Sequence, residues 1–164
     1  MTQITLAVTG SISAYKAADI TSQLTKLGFE VKVLMTPAAR KFITPLTLQV
    51  LSKHQVGLDV MIEDDPQRIE HIDIGKETDL FLVAPASANT IAKLAMGLAD
   101  NMVTSTALAL PQGTKKLLAP AMNTRMLEHP ATQRNLKLLQ DYGYQIIQPR
   151  DAVLACGDKG AGAL

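Results

Sequence analysis

A chain with no tryptophan, one cysteine, three tyrosines and three phenylalanines cannot build its interior from stacked rings or disulfide staples. The lone Cys156 excludes an internal disulfide, agrees with a reducing compartment, and leaves that thiol either inert or reactive. A charge surplus is also missing. Sixteen basic residues stand against fifteen acidic ones, a net charge of +1, so nothing in the charge balance calls for a nucleic-acid partner. Long hydrophobic runs are absent too. The run at residues 80–86 is far shorter than the roughly 18 residues a membrane span requires, and Met1-Thr2-Gln3 enters a strand-like pattern without a basic targeting region. The expected location is therefore cytoplasmic, with neither membrane nor nucleic acid as partner. There is no GxGxxG fingerprint, no Walker loop, no Cys/His cluster of zinc-binding spacing, no repeat and no low-complexity linker. Dinucleotides, nucleoside triphosphates and metals all lose ground.

What is present is a 164-residue chain, 47% hydrophobic, whose apolar content is mainly Ala, Leu, Ile, Val and Met. That length buries a proper core as one domain, 1–164, and thin aliphatic layers suit an α/β fold. Residues 4–9 form a short β-branched run ending at Gly10. In residues 14–27, Ala17, Ile20, Leu24 and Leu27 recur at helical spacing before a Gly28 cap. Residues 30–36 read as a second strand, Pro37 as the first residue of a helix, and Pro45 as the start of another. Residues 80–85 carry the continuous apolar pattern of a central strand buried on both faces. Helices are expected over 88–95, 102–110 and 131–142, and strands over 116–119 and 144–148. Such alternation predicts a single-domain doubly wound, Rossmann-like (flavodoxin-like), mostly parallel sheet with helices on both faces. In that architecture ligands lie beyond the carboxyl ends of the strands.

Those strand ends carry the unusual residues. Gly10-Ser11-Ile12-Ser13 could hold a single terminal phosphate, because glycine admits close backbone approach and the following helix offers free N–H groups; it could equally be a plain helix cap. Pro85-Ala86-Ser87-Ala88-Asn89-Thr90 sets three polar groups behind a buried strand, more than one cap requires. Pro120-Ala121-Met122-Asn123-Thr124-Arg125-Met126 also follows a strand, where Asn123 can serve as a helix cap and Met126 as a gap filler. His71 sits in a stretch of alternating polarity; an imidazole can exchange protons near neutral pH, but most histidines, His54 and His129 among them, are surface or structural residues. Around Cys156, Gly157, Gly160 and Gly162 read as a mobile loop, a flap at about 154–164, with Lys159 near enough to favour the thiolate.

Together these segments resemble the homo-oligomeric flavin-containing cysteine decarboxylases, over essentially the whole chain. The Pro-x-Met-Asn-x-x-Met block and the Cys-Gly flap are the specific carriers; the two Ser-rich turns are shared more widely. The resemblance implies that FMN is held by Gly10, Ser11, Ile12, Ser13, Thr36, Phe42 and Pro85, Ala86, Ser87, Ala88 and Asn89. It implies His71 as active-site base, Ala121, Met122, Asn123 and Met126 as substrate contacts, and Cys156 as proton donor. The activity implied is decarboxylation of a phosphorylated cysteine amide on the route to coenzyme A, by a homo-oligomer (trimer or dodecamer) fed by a separate ligase. Relatives usually continue past the position of Leu164, so a C-terminal segment is expected to be missing. Rival readings within the same resemblance are an oxidative peptidyl-cysteine decarboxylase, a flavin prenyltransferase relative and a non-catalytic flavin-binding regulatory subunit. Two departures from the family pattern stand out: Leu127 replaces a common tryptophan, and Ala163 replaces an arginine found in many bifunctional relatives.

Overall fold

Aliphatic runs with a two-residue alternation feed two packed layers at once, and five such runs make one sheet. The computed structural model describes residues 1–154, 157 and 159–164. Strands β1 (Gln3–Val8), β2 (Glu30–Met35), β3 (Leu80–Ala86), β4 (Lys115–Pro120) and β5 (Tyr144–Ile146) pair in parallel in the order β2-β1-β3-β4-β5. Helices α1 (Lys16–Lys26), α2 (Pro45–Ser52), α3 (Glu70–Glu77), α4 (Ala88–Met96), α5 (Met102–Leu108), α6 (Thr124–Glu128) and α7 (Pro130–Asp141) connect them. Successive strand residues point to opposite faces. Leu6 and Val8 therefore join Val31, Val33, Ala17 and Leu48 in one layer, while Ala7 joins Phe81, Val83, Ile91, Met102 and Leu139 in the other. The expected sheet with helices on both faces is what the chain forms, and β3 is its central strand.

Several local expectations give way to tertiary contacts. Pro37 does not start a helix. The Thr36 hydroxyl accepts a hydrogen bond from the Ala39 N–H at 3.2 Å, and Ala38 packs so closely on Gly10 that a Cβ there would lie 2.5 Å from that of Ala38. These contacts hold residues 36–38 as a turn before a short 3-10 segment, Ala39–Lys41. The first helix likewise opens with a 3-10 turn, Ile12–Tyr15, before α1 begins. The stretch around His71 is helical: α3 has no side-chain cap at Ile69, and it buries Ile74 and Gly75. A Cβ on Gly75 would sit 3.2 Å from the Ala109 carbonyl oxygen, so glycine lets α3 lie close against the end of α5.

The glycine-rich segment read as a loop contains an antiparallel hairpin, β6 (Arg150–Val153) with β7 (Lys159–Ala163). It docks on the loop before α6. The Met122 N–H donates to the Gly162 carbonyl at 2.8 Å, and the Thr124 hydroxyl donates to the Ala161 carbonyl at 2.5 Å. Gly160 and Gly162 have φ of 146° and 136°, and a Cβ on Gly162 would overlap the Met122 carbonyl oxygen. Glycine is required here for both backbone conformation and close approach.

Thr9 closes the top of the sheet. Fully buried, its hydroxyl donates to the Pro85 carbonyl at 2.6 Å and accepts from the Ser87 N–H at 2.9 Å, joining the ends of β1 and β3. A Thr9→Val substitution keeps the shape and strands both partners, so unfolding free energy should fall by about 1–3 kcal/mol. Urea unfolding monitored by circular dichroism checks this; an unchanged midpoint would show that the bridge is not stabilising.

Candidate active site

Between β1 and β3 the connections leave in opposite directions, opening a crevice at the carboxyl edge of the sheet where this strand order accommodates ligands. Each turn there is built by local capping. Ser11 caps the 3-10 turn, its Oγ accepting from the Ser13 N–H at 3.2 Å, which leaves the hydroxyl proton available to a ligand. Ser87 caps α4: its Oγ accepts from the Thr90 N–H at 3.2 Å and donates to Thr90 Oγ1 at 3.2 Å. With its N–H bound to Thr9 as well, Ser87 spends most of its hydrogen-bonding capacity on the fold. Pro85 and Ala86 are buried, Ala88 is half-buried and Asn89 is exposed. The Ala84–Pro85 peptide is cis, and the register of β3 against β4 shifts between Val83 and Ala86.

Asn123 caps α6, its Oδ1 accepting from the Arg125 N–H at 2.9 Å. The capping reading of this residue is therefore correct, and the cap holds the Asn123 side chain at the carboxyl end of β4. Ala121 is buried, its N–H donating to the Ala86 carbonyl at 3.1 Å, which ties the end of β4 to that of β3. Met126 is exposed, whereas Leu127 is buried in the core layer with Leu136 and Leu139. The tryptophan-to-leucine departure thus falls in the core, not at the crevice.

One cavity of about 420 Å³ joins the two motifs: Ser11, Ile12 and Ser13 line one side, Met122 and Asn123 another, and the hairpin covers it with Arg150, Gly162 and Ala163. Among the described residues, no Asp or Glu side chain lines it. Of the other residues singled out in the sequence, Thr36 is buried beneath the neighbouring turn, Phe42 is half exposed at the end of the 3-10 segment, and the Pro85-to-Asn89 loop does not reach the cavity wall. His71 is on α3, partly buried, and does not line this cavity; its Nδ1 is buried without a hydrogen-bond partner among the described residues. Cys156 lies outside the described residues. His54 and His129 have the structural character expected of them. His54 faces Glu30 at 3.6 Å, and His129 Nδ1 accepts from the Ala131 N–H to cap α7.

Three participants were not legible in the sequence. Thr9 looks like the last residue of an ordinary strand. Lys16 and Arg150 are far apart in the chain, yet both line the cavity, and burial followed by the nearby Arg150 guanidinium pulls the Lys16 ammonium below its usual pKa. A basic residue opening a helix, where the dipole disfavours it, was the one available hint.

Comparison with known proteins agrees with this geometry. The chain is 65% identical over 162 residues to a probable phosphopantothenoylcysteine decarboxylase of Streptococcus mutans, covering 99% of this chain and 90% of that protein. It is 47% identical over 161 residues to the coenzyme A biosynthesis bifunctional protein CoaBC of Bacillus subtilis, covering 98% of this chain but only 39% of that longer protein. Among solved structures, a PPC decarboxylase variant complexed with pantothenoylaminoethenethiol superposes with a TM-score of 0.87 at 32% identity, covering 99% of this chain and 90% of that one. The Flavoprotein family matches residues 1–164. On that match and those identities, the chain belongs to the Flavoprotein family.

Proposed function

We propose that this chain is an FMN-dependent decarboxylase converting 4'-phosphopantothenoylcysteine to 4'-phosphopantetheine on the route to coenzyme A. The observation that carries the proposal is the single cavity joining the Ser11-to-Ser13 turn to Met122 and Asn123 beneath the β6–β7 hairpin. Membership of the Flavoprotein family supports a flavin, and the residues present fit one with a single terminal phosphate. Gly10 allows close backbone approach, the strand order opens a crevice between β1 and β3, and among the described residues the Ser11 hydroxyl proton has no acceptor and no Asp or Glu side chain lines the cavity. Gly10, Ser11, Ile12, Ser13, Thr36 and Phe42, with the Pro85-to-Asn89 loop, are the residues proposed to hold FMN.

Loss of CO₂ from a cysteine carboxylate would leave an electron pair on Cα with nowhere to go, and no side chain of this chain can accept it. FMN held by the Ser11-to-Ser13 turn and the Pro85-to-Asn89 loop would supply reversible two-electron redox chemistry at the thiol-bearing carbon, which creates that acceptor. His71 accepts the thiol proton while that carbon is oxidised to the thioaldehyde level. Asn123, held by its cap on α6, hydrogen-bonds the carboxylate, now β to a thiocarbonyl, until it departs. Cys156 donates the proton that Cα needs as the resulting enethiol is saturated, and the β6–β7 hairpin keeps water from the intermediate.

The proposal includes a homo-oligomer, a trimer or a dodecamer assembled from trimers. His71 does not reach the cavity of its own chain, while Ile12 and Tyr15, which line it, stay 56% and 61% exposed. A second copy that covered these side chains and brought its His71 to the crevice would complete the site.

Incubating the FMN-loaded protein with 4'-phosphopantothenoylcysteine and following products by mass spectrometry tests the reading; a protein that takes up no FMN, or an unchanged substrate, would overturn it. Among variants, His71→Asn should retain flavin and lose turnover. Cys156→Ser should release CO₂ and stop with enethiol and reduced flavin, and saturated thiol formed at the normal rate would disprove the proton-donor role.

A further inference from the structure

The paired register of β1 with β3 ends where Ala7 stands opposite Val83, and that of β3 with β4 shifts between Val83 and Ala86. The two turns of the crevice lie beyond this point, so strand pairing does not set the distance between them. Thr9 touches both. Its carbonyl accepts the Ser11 N–H at 2.9 Å, which closes the turn whose Ser11, Ile12 and Ser13 line the cavity. Its fully buried hydroxyl donates to the Pro85 carbonyl at 2.6 Å and accepts from the Ser87 N–H at 2.9 Å. One hydroxyl spends its proton and a lone pair on a single loop, and so fixes that loop in direction as well as position. A main-chain bond carries the join onward: the Ala121 N–H donates to the Ala86 carbonyl at 3.1 Å, two residues before Asn123. Thr9 itself does not line the cavity, so any part it plays there is played through the turns it holds.

We infer that Thr9 is a positioning residue for the flavin: its hydroxyl sets the span between the Ser11-to-Ser13 turn and the Pro85-to-Asn89 loop, so that one FMN molecule engages both at once. The inference rests on the proposed function and deepens it. A ligand held at two places gains from the second only when the distance between them matches its own length. Binding groups accordingly have to stand within about 0.5 Å of the productive arrangement. Valine in place of Thr9 keeps the bulk but leaves the Pro85 carbonyl and the Ser87 N–H without their partner, so the loop shifts while every proposed flavin contact is still present in the chain. Thr5 supplies a matched control. It lies on the same strand, is equally buried, and pairs its hydroxyl with that of Thr78 at 2.7 Å, away from the crevice.

Fluorescence titration of the full chain with FMN and with riboflavin, at a temperature where circular dichroism shows every variant folded, gives the ratio of the two affinities. That ratio reports how well the phosphate turn is engaged once the rest of the flavin is bound. Thr9→Val and Thr9→Ala, both without the hydroxyl, should lower it about fivefold or more, and Thr9→Ser, which keeps the hydroxyl, should hold it within about twofold of wild type. Thr5→Val should lower the urea midpoint and leave the ratio unchanged. A ratio that neither Thr9→Val nor Thr9→Ala alters overturns the inference, as does a Thr5→Val variant that lowers it as far, since Thr9 would then act through stability alone. Equal affinity of the wild-type protein for the two flavins overturns it as well, because no second point of hold exists. Wild-type protein that binds FMN but releases no CO₂ rejects the proposed reaction, while the ratio still decides the part played by Thr9.

Discussion

The winding of the chain reverses between β1 and β3, and the positions of the candidate residues follow from that reversal. Crossovers in a parallel sheet are right-handed, so moving from β1 to β2 puts α1 on one face, whereas moving from β3 to β4 and β5 puts α4 and α7 on the other. The loops after β1 and β3 must therefore diverge. A gap results at the carboxyl edge, lined by backbone that has no strand partner, and polar side chains gather there to satisfy it. The Thr9 hydroxyl closes the bottom of that gap by bridging the Pro85 carbonyl and the Ser87 N–H.

Capping and ligand binding are not competing roles in this arrangement. Ser11, Ser87 and Asn123 each cap a helical segment, and the cap fixes where the side chain stands. The difference lies in what each retains. Among the described residues the Ser11 hydroxyl only accepts, whereas Ser87 both accepts and donates within its own helix turn. Two neighbouring serine turns that look alike in sequence thus divide the work, one facing the cavity and the other holding β3 to α4.

The hairpin completes the site through backbone contacts that depend on glycine. Because Gly162 has no Cβ, its carbonyl can accept from the Met122 N–H, and the strand that carries it can lie flat on the Asn123 loop. The same docking brings Arg150 towards Lys16 across the cavity mouth. A region that composition alone marks as irregular becomes an ordered wall, since its glycines serve close approach as well as freedom.

The five strands of the parallel sheet, α1, α4, α5 and α7 were legible in the sequence because each has an apolar pattern long enough to declare itself, as in Leu80–Ala86 or Pro130–Asp141. The turn at Pro37, the helix at His71 and the hairpin were not, because each is held by something distant: Ala38 against Gly10, Gly75 against Ala109, Gly162 against Met122. The sequence by itself determined the fold class, the carboxyl edge as the place for ligands, and the turns that meet there, since local hydrophobic period and strand-end chemistry carry that information. Only the tertiary structure decided that Ser11 and Asn123 share one cavity, that Lys16 and Arg150 line it with them, that Thr9 bridges the ends of β1 and β3, and that His71 stands apart from the cavity. Those relations join residues tens of positions apart, and packing alone sets such distances.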